Sequence, residues 1–99
     1  MSLKKDLTII FVSYYSKNLI ERPIIQIQKD IPIIVVENSK DYELKKYLEN
    51  KYSNVEVIIS EENTGNGGGA NVGLRSVKTK YALYLDVDVI LEKSTLDQL

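Results

Sequence analysis

Tyr81-Ala82-Leu83-Tyr84-Leu85-Asp86-Val87-Asp88 decides the reading of this chain: an apolar run that ends in two carboxylates one residue apart. A strand this apolar is expected to be buried on both faces, as in a parallel sheet flanked by helices. In such sheets ligands collect at the carboxyl ends of the strands. Two acids at that edge are unfavourable unless a cation or ligand hydroxyls meet them. The stretch therefore predicts a site for a charged ligand.

Working outward, three earlier segments read as strands of the same kind: Leu7 to Val12, Ile33 to Val36 and Val55 to Ile59, all rich in β-branched residues. Helical spacing lies between them. Ile20, Ile24 and Ile27 share a face, and Pro23 is tolerated only in a first turn, so the helix is expected to start near Glu21 or Arg22. Asp41 is a candidate N-cap for a second helix with Leu44, Tyr47 and Leu48 on one face. Glu61 to Gly69 reads as a polar, glycine-dense loop running into a third helix whose inner face holds Ala70, Leu74 and Val77. Leu91 to Leu99 reads as a connection and the start of another helix, capped by Ser94. The order β-α-β-α-β-α-β implies an α/β fold: three layers, α/β/α, around a parallel four-stranded sheet.

Composition narrows the chemistry. With 99 residues the chain forms a single domain, 1–99, and its net charge of -1 offers nothing to attract nucleic acid or an anionic membrane. Cysteine and histidine are both absent, which removes disulfides, thiolate chemistry, a His-based zinc site and a Ser-His-Asp triad. Any metal must be held by oxygen, which points to magnesium, manganese or calcium. The apolar runs are strand-sized, and Met1 to Asp6 lacks the apolar stretch of a secretory signal, so a cytoplasmic location is expected. Met1-Ser2-Leu3 reads equally as a natural start or as a vector remnant.

Four constellations carry candidate chemistry, each with a plainer reading beside it. Asp86 and Asp88 suit a divalent cation completed by ligand phosphates, but aspartates are also ordinary loop residues. The segment Asn63 to Gly73 offers glycines for close backbone approach and a helix N-terminus for anions, or it is a surface loop. It formally satisfies G-x-G-x-x-A over Gly65 to Ala70, yet the dinucleotide fingerprint belongs after a first strand, and no Gly-Lys-Ser/Thr follows. Glu37, before Asn38-Ser39, can accept from ribose hydroxyls or a base N–H, while Asn38-Ser39 serves equally as a turn or cap. Ser13-Tyr14-Tyr15-Ser16 offers tyrosine for stacking, or two tyrosines packed over a sheet end. All four fall at carboxyl ends of strands or in the loops after them.

With these residues in view, the chain resembles the N-terminal half of a GT-A-fold, family 2 glycosyltransferase, of the kind found among bacterial surface-polysaccharide and rhamnosyltransferase-like members. The resemblance rests on Val12-Ser13-Tyr14, Val35-Val36-Glu37-Asn38-Ser39, the Asn63 to Gly73 loop and Leu85-Asp86-Val87-Asp88-Val89. It implies a Rossmann-like, partial GT-A fold that binds a nucleotide-diphosphate sugar. By resemblance, Ser13 and Tyr14 lie near the nucleobase, and Glu37, where the family usually has aspartate, contacts base or ribose with Asn38 beside it. Gly67, Gly69, Ala70 and Asn71 face the nucleotide. Asp86 sits near ribose or donor sugar and joins Asp88 in holding manganese or magnesium. The family normally inverts configuration with a carboxylate base. No residue of this chain is assigned that role, so the expectation is a C-terminally truncated donor-binding half, inactive alone.

The partners implied are the nucleotide-diphosphate sugar and a sugar or lipid-linked acceptor, with peripheral attachment of the full-length protein at the inner membrane face. Self-association through the edge beyond the fourth strand is also expected. Two other readings compete: a receiver-like interaction module, which needs acids after the first strand where Ser13-Tyr14-Tyr15-Ser16 stands, and a sugar nucleotidyltransferase, whose glycines would follow the first strand.

Overall fold

A computed structural model describes residues 6–61 and 65–88. Seven elements alternate: β1 (Leu7–Ser13), α1 (Glu21–Gln26), β2 (Ile33–Glu37), α2 (Tyr42–Lys51), β3 (Val55–Ile59), α3 (Gly65–Arg75) and β4 (Tyr81–Leu85). The four strands form one parallel sheet in the order β3-β2-β1-β4. The predicted α/β class, strand number and parallel pairing are all present. The expected connection and Ser94 cap over Leu91 to Leu99, the Asn63-Thr64 segment and residues 1–5 lie outside the described residues.

Side chains alternate across each strand, so the sheet divides its apolar residues between two layers. Ile9, Phe11, Ile33, Val35, Val55 and Val57 point toward α1 and α2 and pack with Ile20, Ile24, Ile27, Leu44 and Leu48. Ile10, Val12, Ile34 and Val36 point the other way, where Val72 and Val77 cover them. Phe11 is wholly buried, a burial that contributes about 1.5–3 kcal/mol. Helix α1 starts at Glu21, as Pro23 requires, and α2 is capped by Asp41, whose Oδ1 accepts from Leu44 N at 3.0 Å.

Four expectations change. The glycine run is helical from Gly65 onward rather than a loop to Gly69. Of its expected inner face, Val77 packs on the second layer just past the helix end, but Leu74 is half-exposed, and Gly69 and Gly73 meet the sheet instead. Packing distance explains both changes, because a helix pressed this close to a sheet accepts glycine where it has no room for leucine. Among the described residues β4 is not buried on both faces but has β1 alone beside it, with Tyr81 and Tyr84 exposed and Leu83 and Leu85 only half-buried. Tyr47, expected to be inward with Leu44 and Leu48, is exposed and turns its hydroxyl to Glu21. Among the described residues no helix is long and apolar enough to cross a membrane.

The two edges differ. Parity of the β2 pairing turns Val57 N–H and C=O toward the outer side of β3, and α2 closes both: Val57 N donates to Glu49 Oε2 at 2.8 Å, and Lys45 Nζ donates to Val57 O at 2.6 Å. Blocking an edge with charged side chains is a recurrent defence against further strand pairing.

Candidate functional site

Chain order decides where the sheet opens. Strands β1, β2 and β3 run out in one direction with α1 and α2 on one face, and β4 then returns to the far side of β1 by way of α3 on the other face. The strand order therefore reverses between β1 and β4, and the carboxyl edge at such a reversal is the usual ligand position. Register places Phe11 beside Leu85, so Asp86 and Asp88 leave the sheet next to Val12 and Ser13.

The predicted residues divide into an exposed set and a buried set. Tyr14, Asn71, Asp86 and Asp88 are open to solvent. Tyr14 and Tyr15 stand together past β1, ring centroids 4.7 Å apart and 69° between planes, an edge-to-face pair. Tyr15 is 77% exposed and adopts φ 51, in the left-handed region that a non-glycine residue rarely occupies. Asp86 is felt by Tyr84: burial first, and then the Asp86 charge, raise the phenol above its ordinary 10.0. Among the described residues no cluster of three or more acidic, histidine or cysteine side chains is arranged to hold a metal. A cation at the Asp86–Asp88 pair would have to draw further ligands from outside the described residues.

Ser13, Glu37, Asn38 and Gly69 lie beneath this surface, all buried. Ser13 and Glu37 are register partners on the α1/α2 side of the sheet, and neither Ser13 Oγ nor Glu37 Oε1 has a hydrogen-bond partner among the described residues. A buried oxygen left this way costs about 1–3 kcal/mol. Asn38 lies on the opposite side, its Nδ2 3.2 Å from the point a Cβ on Gly69 would occupy. Gly67 sits in the first turn of α3.

Glu37 has a second task that the chain order did not suggest. Its Oε2 accepts from Ser39 N at 2.7 Å, Ser39 Oγ at 2.6 Å and Asp41 N at 3.0 Å. One carboxylate oxygen thus folds the β2–α2 turn and sets the helix cap. Backbone bonds carry the same edge across the sheet: Asn38 N to Ser13 O at 2.7 Å and Ser60 N to Glu37 O at 2.9 Å. The sequence offers Ser39 as a turn or cap residue and Tyr15 as a stacking or packing ring, but not the bond between them 24 positions apart, Tyr15 N to Ser39 Oγ at 3.1 Å.

Known proteins answer to the same arrangement. The crystal structure of S. aureus TarS 1-349 superposes with a TM-score of 0.78 at 25% identity, covering 94% of this chain and 30% of that one. Matches extend to 19 chains of solved structures, while a search of curated protein sequences returned none. The chain spans less than a third of the TarS chain it resembles. The sequence pattern of Glycosyl transferase family 2 runs over residues 8–99, from the second residue of β1 past the Asp86–Asp88 pair. That match takes in nearly the whole chain, and this chain belongs to glycosyl transferase family 2.

Proposed function

We propose that this chain forms the donor side of a glycosyltransferase and binds a nucleotide-diphosphate sugar in the crevice between β1 and β4. The observation that carries the reading is the exposure of Asp86 and Asp88 at the carboxyl edge beside the strand-order reversal. Tyr14 offers a face for the nucleobase, and Asn71 on α3 lies exposed toward solvent for a polar contact. Ser13, Glu37, Asn38, Gly67 and Gly69 complete the donor side in this reading, with Ser13 Oγ and Glu37 Oε1 as two buried oxygens without partners among the described residues.

Asp88, joined by Asp86, would hold manganese or magnesium against the diphosphate. Such a cation, when bound, stabilises the negative charge left on the diphosphate as the anomeric C–O bond breaks. Asp86 orients the donor's hydroxyls as an acceptor of hydrogen bonds. In the whole protein a carboxylate base would take the proton of the attacking acceptor hydroxyl, giving inversion. None of the described residues is assigned that base. We further assign the whole protein to surface-polysaccharide synthesis on a sugar or lipid-linked acceptor, in the cytoplasm and peripheral at the inner membrane face.

Calorimetry with UDP, GDP and dTDP in the presence and absence of manganese tests the reading. Binding by at least one nucleotide that requires manganese and disappears in Asp88→Asn is expected. No binding by any of the three would sink it.

A further inference from the structure

We propose that Ser39 is a positioning residue that couples the buried Glu37 carboxylate to the Tyr14–Tyr15 pair at the mouth of the crevice. The inference rests on the donor-site reading for its functional meaning and on hydrogen bonding for its mechanism.

Ser39 Oγ lies 2.6 Å from Glu37 Oε2, and because a carboxylate oxygen accepts, the serine hydroxyl donates. That leaves its lone pairs for Tyr15 N, 3.1 Å away. The β2–α2 turn thereby grips the loop after β1 at the residue whose backbone is least relaxed, Tyr15 at φ 51. A left-handed conformation at a residue with a Cβ is unfavourable and persists only where its surroundings impose it. The other tie between the two loops, Asn38 N to Ser13 O, ends one residue before Tyr14. Contacts of Ser16 Oγ with Tyr14 N at 3.3 Å and Tyr14 O at 3.1 Å are local to the loop and cannot fix it against the sheet.

What Ser39 holds is not core. Tyr14 and Tyr15 are 51% and 77% exposed, so their edge-to-face contact buries little area to offset a strained backbone. Two exposed rings kept in a fixed mutual pose suit a planar ligand, which on the donor reading is the nucleobase: it would lie on Tyr14 while Tyr15 fixes the tilt of that ring. Glu37 is anchored independently by Ser39 N and Asp41 N. Losing the Ser39 hydroxyl therefore leaves the turn folded and releases the tyrosines alone.

The test uses the full chain, Ser39→Ala and Ser39→Thr, with NMR of the tyrosine rings and amides in the absence of nucleotide. In Ser39→Ala, exchange of the Tyr15 amide is expected to quicken about tenfold, the loss of one modest hydrogen bond, and the ring shifts of Tyr14 to collapse, while the thermal midpoint barely moves. Ser39→Thr, which keeps a hydroxyl, restores both signals. Affinity for the nucleotide that the unaltered chain binds with manganese falls about tenfold in Ser39→Ala and recovers in Ser39→Thr. Unchanged amide and ring signals in Ser39→Ala overturn the coupling, and changed signals with unchanged affinity overturn its role at the site. If the unaltered chain binds no nucleotide, the donor reading fails and the NMR comparison alone decides the coupling. Should Ser39→Ala not fold, Tyr15→Gly keeps the amide and relieves the backbone: retained amide protection with weakened nucleotide binding supports the proposal, and unweakened binding overturns it.

Discussion

Gly69 and Val12 meet where α3 crosses the sheet: a Cβ on Gly69 would stand 2.8 Å from Val12 Cγ1 and 2.9 Å from Cγ2. One helical turn on, a Cβ on Gly73 would stand 2.7 Å from Ile10 Cγ2. The glycines let the helix backbone rest directly on the even-numbered side chains of β1, which is how α3 approaches the carboxyl edge where Asn71 is presented.

Alanine at either glycine tests which of two opposed effects wins. Helix propensity favours alanine by about 1 kcal/mol, whereas forcing a methyl into an occupied space costs about 1–3 kcal/mol and here presses on β-branched side chains buried in the second core layer. Gly69→Ala and Gly73→Ala are expected to lower stability in urea titrations. A rise at both positions would mean that α3 stands farther from the sheet.

Charge at the acidic pair can be read through a neighbouring phenol. Tyr84 ionises above its ordinary 10.0, first because of burial and then because of Asp86. Asp86→Asn should bring the Tyr84 ionisation part of the way back, as followed by NMR, with stability altered by no more than about 0.5 kcal/mol because Asp86 is exposed. No movement of the Tyr84 titration would place the Asp86 carboxylate away from that ring.

Stability should also depend on pH through the cluster that ties α1 to α2. Glu21 accepts from Lys51 Nζ at 2.6 Å, from Tyr47 OH at 2.9 Å and from Tyr52 OH. The Lys51 hydrogen bond, followed by that of Tyr52, holds Glu21 below its ordinary 4.5. A lowered carboxyl contributes above its unfolded value, and that contribution is lost as pH falls through the folded one. Burial, then Glu21, pushes Tyr52 up to about 12 from 10.0. A raised group contributes below its unfolded value, so its share is lost as pH rises from 10.0 toward 12. Thermal melts should thus weaken at both ends, and Tyr52→Phe should flatten the alkaline side. An unchanged alkaline slope in Tyr52→Phe would assign that loss to other groups.

The closed edge of the sheet gives a prediction about assembly. Glu49 stays below its ordinary 4.5 although burial pushes it up, because Lys45 and the Val57 N–H outweigh that cost. Glu49→Ala removes the acceptor for Val57 N and leaves Lys45 only its bond to Val57 O, and should cost about 1 kcal/mol in urea titrations. Light scattering at high concentration should then show more self-association, since β3 regains an open edge. Equal scattering by variant and unaltered chain would show that α2 itself, rather than its two side chains, shields β3.

Short-range signals in the chain were sufficient for the elements. Runs such as Ile33-Ile34-Val35-Val36 can satisfy their side chains only in a strand between two layers, and Asp41 marks a helix start because its side chain serves its own following backbone. The start of α1 at Glu21 follows from the ring of Pro23 alone. Each of these depends on neighbours within a few positions, so the order of residues contains the answer. The acids at the end of β4 were legible in the same way, as was membership of the family whose pattern runs through them.

Tertiary structure decided what the site residues do. The glycine run reads locally as a loop, since each glycine disfavours helix, and becomes helical because α3 packs against Val12 and Ile10. Glu37 reads as a ligand contact and turns out to be buried, holding a turn with one oxygen while the other stays unpartnered. The apolar run of β4 reads as buried on both faces and is only partly covered among the described residues, because hydropathy reports what a strand can bury, whereas the fold reports what lies over it. By itself the sequence determined the order of strands and helices, the glycine-rich start of α3 apart, and which acids follow β4, because those follow from local chemistry. Burial, strand order and the Glu37–Ser39–Tyr15 relay came only with the fold, because each depends on residues far apart in the chain being brought together.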